Sequence, residues 1–230
     1  MPKSRTRSKS NAALLETSGF ADEQLSEYEI LDPIQDASGF ANEPPPKYDF
    51  SADYYSHNVP MYEKYLRRLA GKPCRLLEIG SFEGASTVWL LDNIATHKDS
   101  FIDTIDVWEQ PKLKPNLIAS GHQDRVKFHL GRSVDILRTL PLNAYDFAII
   151  DGSHWTMNVL EDMVHAYRHL KIGGIMESDD YLWDDPEWNQ EGAPKAAIDA
   201  FLSIYASKIK VLRKDGLVWI RKIADPMWDL

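Results

Sequence analysis

From residue 72 onward, short apolar runs alternate with helix-patterned segments. This alternation constrains the fold more than any other feature of the chain. The runs RLLEIG (75–80), FIDTID (101–106), VKFHLG (126–131), YDFAIID (145–151) and GGIMESDD (173–180) read as strands. The fourth is nearly continuous in apolar residues, as a strand buried on both faces should be. Residues 85–95 carry Val88, Leu91 and Ile94 at helical spacing, with Leu90 alongside. Residues 156–170 place Val159, Met163, Tyr167 and Leu170 on one face, with Thr156 as the expected cap. A further helix is expected over 196–205. Runs at 209–213 and 217–223, joined by Asp215-Gly216, read as a tight hairpin. Strands linked by crossover helices demand a parallel sheet covered on both faces. The expected class is therefore α/β: a doubly wound, mostly parallel seven-stranded sheet ending in an antiparallel hairpin.

Composition narrows what such a sheet could serve. The chain has 230 residues, of which 43% are hydrophobic, enough for a real core. No apolar run approaches the length of a membrane span, and no hydrophobic signal region is seen near the start. With 26 basic against 35 acidic residues the net charge is −9, a poor fit to general binding of nucleic acid or anionic membrane. The one cysteine, Cys74, forms no internal disulfide and reads as buried filler. A cytoplasmic setting is expected. Residues 1–50 stand apart: a basic arm (Lys3, Arg5, Arg7, Lys9), an acidic stretch without Lys or Arg, then Pro44-Pro45-Pro46. They read as a flexible tail or linker, and residues 51–230 as one domain with an N-terminal helix at 60–70.

In such sheets ligands bind at the carboxyl ends of the strands. After the first comes Glu78-Ile79-Gly80-Ser81-Phe82-Glu83-Gly84-Ala85-Ser86. Its two glycines would let backbone approach a ligand, and the following helix offers free N–H groups. The G-x-x-x-G spacing argues against an ordinary dinucleotide fingerprint, and so against an NAD enzyme. Asp106 ends the second strand, where a carboxylate can accept ribose hydroxyls. Gly131-Arg132-Ser133 follows the third, and Ser133 could meet an adenine edge or cap the next helix. Asp151-Gly152-Ser153-His154 follows the fourth, and Asp179 and Asp180 end the fifth. Three acids on neighbouring strand ends are costly unless a cation or a shared proton offsets their repulsion. Hard oxygen ligands suit Mg²⁺ or a similar divalent ion. Trp108, Trp155, Trp183 and Trp188 also follow strand ends and could wall a sugar or an aromatic ring. The segment 183–192 reads as an acidic lid.

LLEIGSFEGAST, TID, VKFHLGRS, DFAIIDGSH and LKIGGIMESDD, in this order, resemble a class I S-adenosylmethionine-dependent methyltransferase. That resemblance covers about residues 75–223 and implies a Rossmann-like sheet. DGSH, SDDYLW and PKAAIDAFL resemble the divalent-cation-dependent O-methyltransferases, nearest the macrocin-type enzymes acting on sugar hydroxyls and more distantly the catechol-type. The resemblance implies that Glu78, Gly80 and Gly84 shape the methionine part of the cofactor pocket and that Ser86 holds its carboxylate. It implies that Asp106 meets the ribose and Ser133 lies beside adenine, with Ser81, Phe82, Val107 and Arg132 also expected to bind the cofactor. Asp151 would serve both cofactor and metal, with Asp179 and Asp180 as the other metal ligands. Macrocin-type enzymes carry an aspartate two residues after the first ligand as the proposed base, where this chain has Ser153. The adjacent His154 titrates near neutrality and is the expected base.

The expected activity is metal-assisted methylation of a hydroxyl on a small molecule, a sugar or an aromatic natural product. No membrane or nucleic-acid partner is expected, and self-association is left open. Two alternatives stand beside this reading. One is a metal-independent enzyme acting on nitrogen, protein or RNA. The other is a cofactor-binding protein without turnover.

Overall fold

The computed structural model describes residues 47–184 and 193–225. Residues 1–46 of the tail expected over 1–50, the larger part of the expected lid and Trp188 lie outside these residues. Seven strands form one sheet: β1 (Arg75–Ile79), β2 (Phe101–Asp106), β3 (Val126–Leu130), β4 (Tyr145–Ile150), β5 (Leu170–Ser178), β6 (Ile209–Lys214) and β7 (Val218–Lys222). Their order is β3-β2-β1-β4-β5-β7-β6, with all pairs from β3 to β5 parallel and β7 antiparallel to both of its neighbours, β5 and β6. This is the doubly wound, Rossmann-like sheet with a terminal hairpin that the strand pattern implied. Strand order reverses between β1 and β4, which opens a crevice at their carboxyl ends.

The two-residue alternation of the strands sorts side chains onto two cores. On one face Leu77, Ile79, Ala148, Ile150 and Met176 are buried. They pack beneath α5 (Thr156–His169) and α6 (Pro194–Ile204), where Val159, Met163, Tyr167 and Phe201 meet them. On the other face Leu76, Phe147, Ile149, Ile175 and Trp219 pack against α1 (Val59–Leu66) and α2 (Ala85–Asn93). Trp219 is fully buried and stacks on Phe147 with ring centres 5.5 Å apart. Cys74 is buried, as expected of filler, and burial pushes its thiol up.

Several boundaries differ from the sequence expectation. The helix expected at 60–70 is α1 flanked by 3-10 turns at Ser56–Asn58 and Arg67–Leu69. Residues 47–51, expected to belong to the tail, pack on the domain. The Tyr48 hydroxyl donates to Asp92 at 2.5 Å, and Ser51 donates through N and Oγ to Glu83. Helix α3 (Leu113–Ser120) was not anticipated, because Pro115 and the neighbouring lysines mask its few apolar positions. Strand β5 starts at Leu170 rather than 173, and it carries Gly173 at φ +84° beside a register shift against β4. Thr156 does not cap α5. Trp155 holds the cap position, and the Thr156 hydroxyl donates to the Ala193 carbonyl at 2.8 Å. Ser133 likewise opens helix α4 (Ser133–Leu137), with Arg132 at its cap position.

Candidate active site

A cavity of about 630 Å³ lies at the carboxyl edge, spanning the ends of β3, β2, β1 and β4. Asp106 and Val107 line it from β2, Arg132 and Ser133 from the β3 end, and His154 and Trp155 from the β4 end. Helix α5 contributes Asn158, Glu161 and Asp162, which the strand-end reading did not reach.

Asp106 is held by backbone. Its Oδ2 accepts N–H bonds from Ser81 at 3.1 Å and Phe82 at 3.0 Å, and its Oδ1 accepts from Trp108 at 3.0 Å. The Ser81 hydroxyl adds a longer bond to Oδ2 at 3.5 Å, so the acceptor capacity left for a ligand hydroxyl lies on Oδ1. Ser81 and Phe82 therefore act by fixing Asp106, and neither lines the cavity. Phe82 has φ +44°, a region strained for an aromatic residue, and its ring meets Tyr54 edge-on at 5.7 Å.

Gly80 lines the cavity, yet its lack of a side chain answers a packing demand. At φ +94° an added Cβ would stand 2.0 Å from the Asp151 carbonyl oxygen. At Gly84 the Cβ would meet the Leu113 side chain at 2.9 Å. Glu78 and Ser86 do not reach the cavity. Glu78 sits on the α2 side of β1, fully buried, and accepts bonds from Ser86, Thr87 and Thr104 at 2.5, 2.5 and 2.7 Å. Burial raises its carboxyl against these three donors. The pair thus ties β1, β2 and α2 together beneath the site.

At the β4–β5 end, ladder bonds run past the strands. Asp151 N donates to Ile79 O and Asp179 N to Ile150 O. They place three acids on adjacent tips. Ligand atoms of Asp151, His154 and Asp180 lie within 4.8 Å of one another. His154 Nε2 is 3.0 Å from Asp180 Oδ2, and its ring packs on Trp183 at 4.3 Å. Asp180 adopts φ +62°, which aspartate tolerates better than most residues. Asp179 faces elsewhere: its Oδ2 accepts from Asn58 Nδ2 at 3.3 Å and its Oδ1 from the Asp180 N–H.

Asp151 has open surface and is not among the residues that line the cavity, while its carboxyl stands close to His154 and Asp180. Desolvation and then the charges of Asp179 and Asp180 push it well above the carboxylate range. Desolvation and Asp180 also raise Asp179. The hydrogen bond to Asp180 raises His154 above ordinary histidine, against the opposing effect of its partial burial. Two carboxylates and an imidazole converging this closely form a donor set of the kind that takes a hard divalent cation. Below them Glu177 is fully buried, with neither carboxyl oxygen in a hydrogen bond. Burial and then the charge of Asp179 push its carboxyl well up.

The α5 wall holds the other perturbed acid. The Ser133 hydroxyl donates to Asp162 Oδ1 at 2.5 Å, and desolvation pushes Asp162 up to about 6. An acid on the apolar stripe of α5, between Val159 and Met163, was the available sequence signal for it. Asn58 had no such signal, since only the folded chain brings it to Asp179.

Residues 77–181 match the family model described as a methyltransferase domain. The match spans 105 of the chain's 230 residues. Uncharacterized protein R132 of Acanthamoeba polyphaga mimivirus is 31% identical over 125 residues, covering 51% of this chain and 55% of that protein. The chain thus spans about half the length of the curated relative it matches. Among solved structures, a candidate O-methyltransferase from Klebsiella pneumoniae superposes with TM-score 0.61 at 20% identity, covering 76% of this chain and 83% of that one. TomG from Streptomyces achromogenes, an O-methyltransferase of tomaymycin synthesis in complex with SAM, gives 0.55 at 21% identity over 72% and 77%. MycE of the mycinamycin pathway, in complex with Mg, SAH and mycinamycin VI, gives 0.55 at 16% identity over 77% and 53%. At these identities the likeness establishes the class I methyltransferase fold.

Proposed function

We propose that the protein is an S-adenosylmethionine-dependent O-methyltransferase that methylates a hydroxyl on a small molecule with the help of a divalent cation. The observation that carries this reading is one continuous edge. It holds a cavity with a ribose-type acid, Asp106, and an Asp151–His154–Asp180 cluster beside it. MycE, solved with Mg and SAH together, supports a cation beside the cofactor, and TomG, an O-methyltransferase solved with SAM, supports the cofactor. Asp151 and Asp180 would hold the ion, and Asp179 joins them if its carboxyl leaves Asn58. When bound, a divalent ion lowers the pKa of a hydroxyl it contacts, and the sulfonium of the cofactor supplies an electrophilic methyl.

The residues of this chain then have defined tasks. The cavity holds cofactor and acceptor in line, because orientation supplies much of the rate when the methyl is already activated. Asp180 fixes the imidazole of His154 through Nε2, which leaves Nδ1 to receive the acceptor's proton. Trp155 lines the cavity and Trp183 packs on His154, and such aromatic surface favours a flat or sugar-like acceptor over a small ion. Partner and compartment follow from this reading: a small molecule as substrate, with the cytoplasm as the expected setting. Among the described residues no helix is long and apolar enough to cross a membrane.

The cluster geometry favours one second reading, in which His154 is a ligand of the ion rather than the base. Methyl-labelled S-adenosylmethionine, offered with a panel of sugar and catechol acceptors, tests both. Turnover should appear and be abolished by EDTA and by Asp180→Ala. His154→Ala should lower kcat by roughly 10²–10⁴ with metal affinity kept if His154 is the base. Weakened metal affinity would make it a ligand. Full activity after EDTA would remove the cation from the account.

A further inference from the structure

We infer that Asn58 is a positioning residue that competes with the cation for Asp179 and holds that acid in reserve beside the site. The inference rests on the reading of Asp151, His154 and Asp180 as a cation cluster. It adds to that cluster a residue from outside the segment that matches the family model.

Asp179 continues β5, its N–H bonded to the Ile150 carbonyl, and it precedes Asp180 directly. Yet among the described residues only Asp151, His154 and Asp180 bring ligand atoms within 4.8 Å of one another. Two donors hold Asp179 otherwise. The Asp180 N–H meets Oδ1 at 2.8 Å, and Asn58 Nδ2 meets Oδ2 at 3.3 Å. The first donor belongs to the adjacent residue. The second comes from the turn before α1 and is fixed on both sides. Upstream, the Asn58 N–H donates to the Tyr55 carbonyl at 2.9 Å, Asp53 Oδ1 accepts from Ser56 N at 2.9 Å, and Ser51 is bonded to Glu83. Downstream, Val59 opens α1, whose Tyr62 and Leu66 are buried in the core. A carboxyl that turned toward the cluster would leave this amide behind.

The state of the amide itself marks its role. Asn58 is 2% exposed, and its Oδ1 is buried with no hydrogen-bond partner among the described residues. A buried acceptor left unpaired costs stability, and an apolar side chain of similar size would avoid that cost. What the amide supplies is the bond to Asp179. That bond is long for an N–H on a carboxylate, so a divalent charge can displace it. Without a cation, the clamp draws one of three like charges away from the other two. With a cation, it makes entry of the third carboxylate costly. Ions such as Mg²⁺ are commonly held by one or two carboxylates, with water and substrate oxygens filling the other positions. A clamped Asp179 leaves those positions to the acceptor.

The test is titration of the full chain with Mn²⁺, following the free ion by electron paramagnetic resonance, which reads cation affinity without turnover. Asn58→Leu removes the donor and keeps the volume. It should bind Mn²⁺ about three- to tenfold more tightly than the wild type, the effect of releasing one long hydrogen bond. In an Asp179→Ala background the same substitution should change affinity by less than about twofold, because the clamp acts through that carboxyl. Asn58→Ala provides the same comparison if the Leu variant does not fold. A folded Asn58 variant with unchanged or weaker Mn²⁺ binding would overturn this inference while leaving the cation reading intact. A gain that persists without Asp179 would also overturn it. Absence of Mn²⁺ binding at millimolar concentration, in wild type and variants alike, would refute the cation reading and this inference with it.

Discussion

The backbone of Gly80 shows how closely the β1 and β4 tips are fitted. Its left-handed φ and the Asp151 carbonyl both exclude a side chain. Gly80→Ala should cost about 2–4 kcal/mol in urea unfolding, since strain and a clash with backbone add. A cost below about 1 kcal/mol would show that the tips can separate freely. Asp103 makes the second residue-scale case. It is buried and accepts from Arg75 Nε and a terminal guanidinium nitrogen, from the Tyr145 hydroxyl at 2.8 Å, and lies 2.8 Å from His129 Nε2. Burial alone would raise its carboxyl, but these hydrogen bonds outweigh it and hold the group below the usual carboxylate range. A depressed folded pKa contributes stability that is present above the unfolded value of about 3.9 and lost as pH falls through the folded value. Asp103→Asn should therefore lower stability at pH 7 by about 2 kcal/mol and flatten the acid limb of the stability–pH curve. An unchanged acid limb would reassign that limb to other carboxylates.

At the scale of elements, the hairpin is fastened by one buried cation. Lys222 of β7 is fully buried and donates to the carbonyls of Tyr167 at 3.2 Å and Leu170 at 2.7 Å, and to Asn143 Oδ1 at 2.8 Å. Asp225 pairs with it. The two carbonyls end α5, where helix geometry leaves them without intrahelical donors. Lys222→Ala should thus destabilise the fold by about 3 kcal/mol in denaturant titration, more than an exposed lysine could. A change within ~0.5 kcal/mol would mean water replaces it without cost. The strands were legible because apolar runs of the right length are bounded by Gly and Asp. Helix α3 was not, because Pro115 sits in its first turn and its apolar face is too short for a period to show. The site was legible where chain position sufficed, as for Asp106, Ser133, Asp151 and Asp180 at strand tips. It was not where facing decides. Glu78 alternates with Leu77 and Ile79, so its carboxyl turns under α2 and away from the cavity. Asn58 and Asp162 come from other elements, and no spacing along the chain announces their approach.

At the scale of the whole molecule, the proposed function requires a single edge of the sheet to hold an adenosine-bearing sulfur cofactor and a cation next to each other. Thermal unfolding of the full chain tests it most directly. A ligand bound only by the folded state stabilises by about 2.7 kcal/mol at a hundredfold excess over Kd, which for a chain of this size raises Tm by about 5–10 °C. S-adenosylhomocysteine should produce such a rise. Mg²⁺ should add a further increment that EDTA reverses and Asp180→Ala removes, while the rise from S-adenosylhomocysteine alone persists in that variant. A Tm indifferent to S-adenosylhomocysteine at millimolar concentration, with or without Mg²⁺, would contradict the claim.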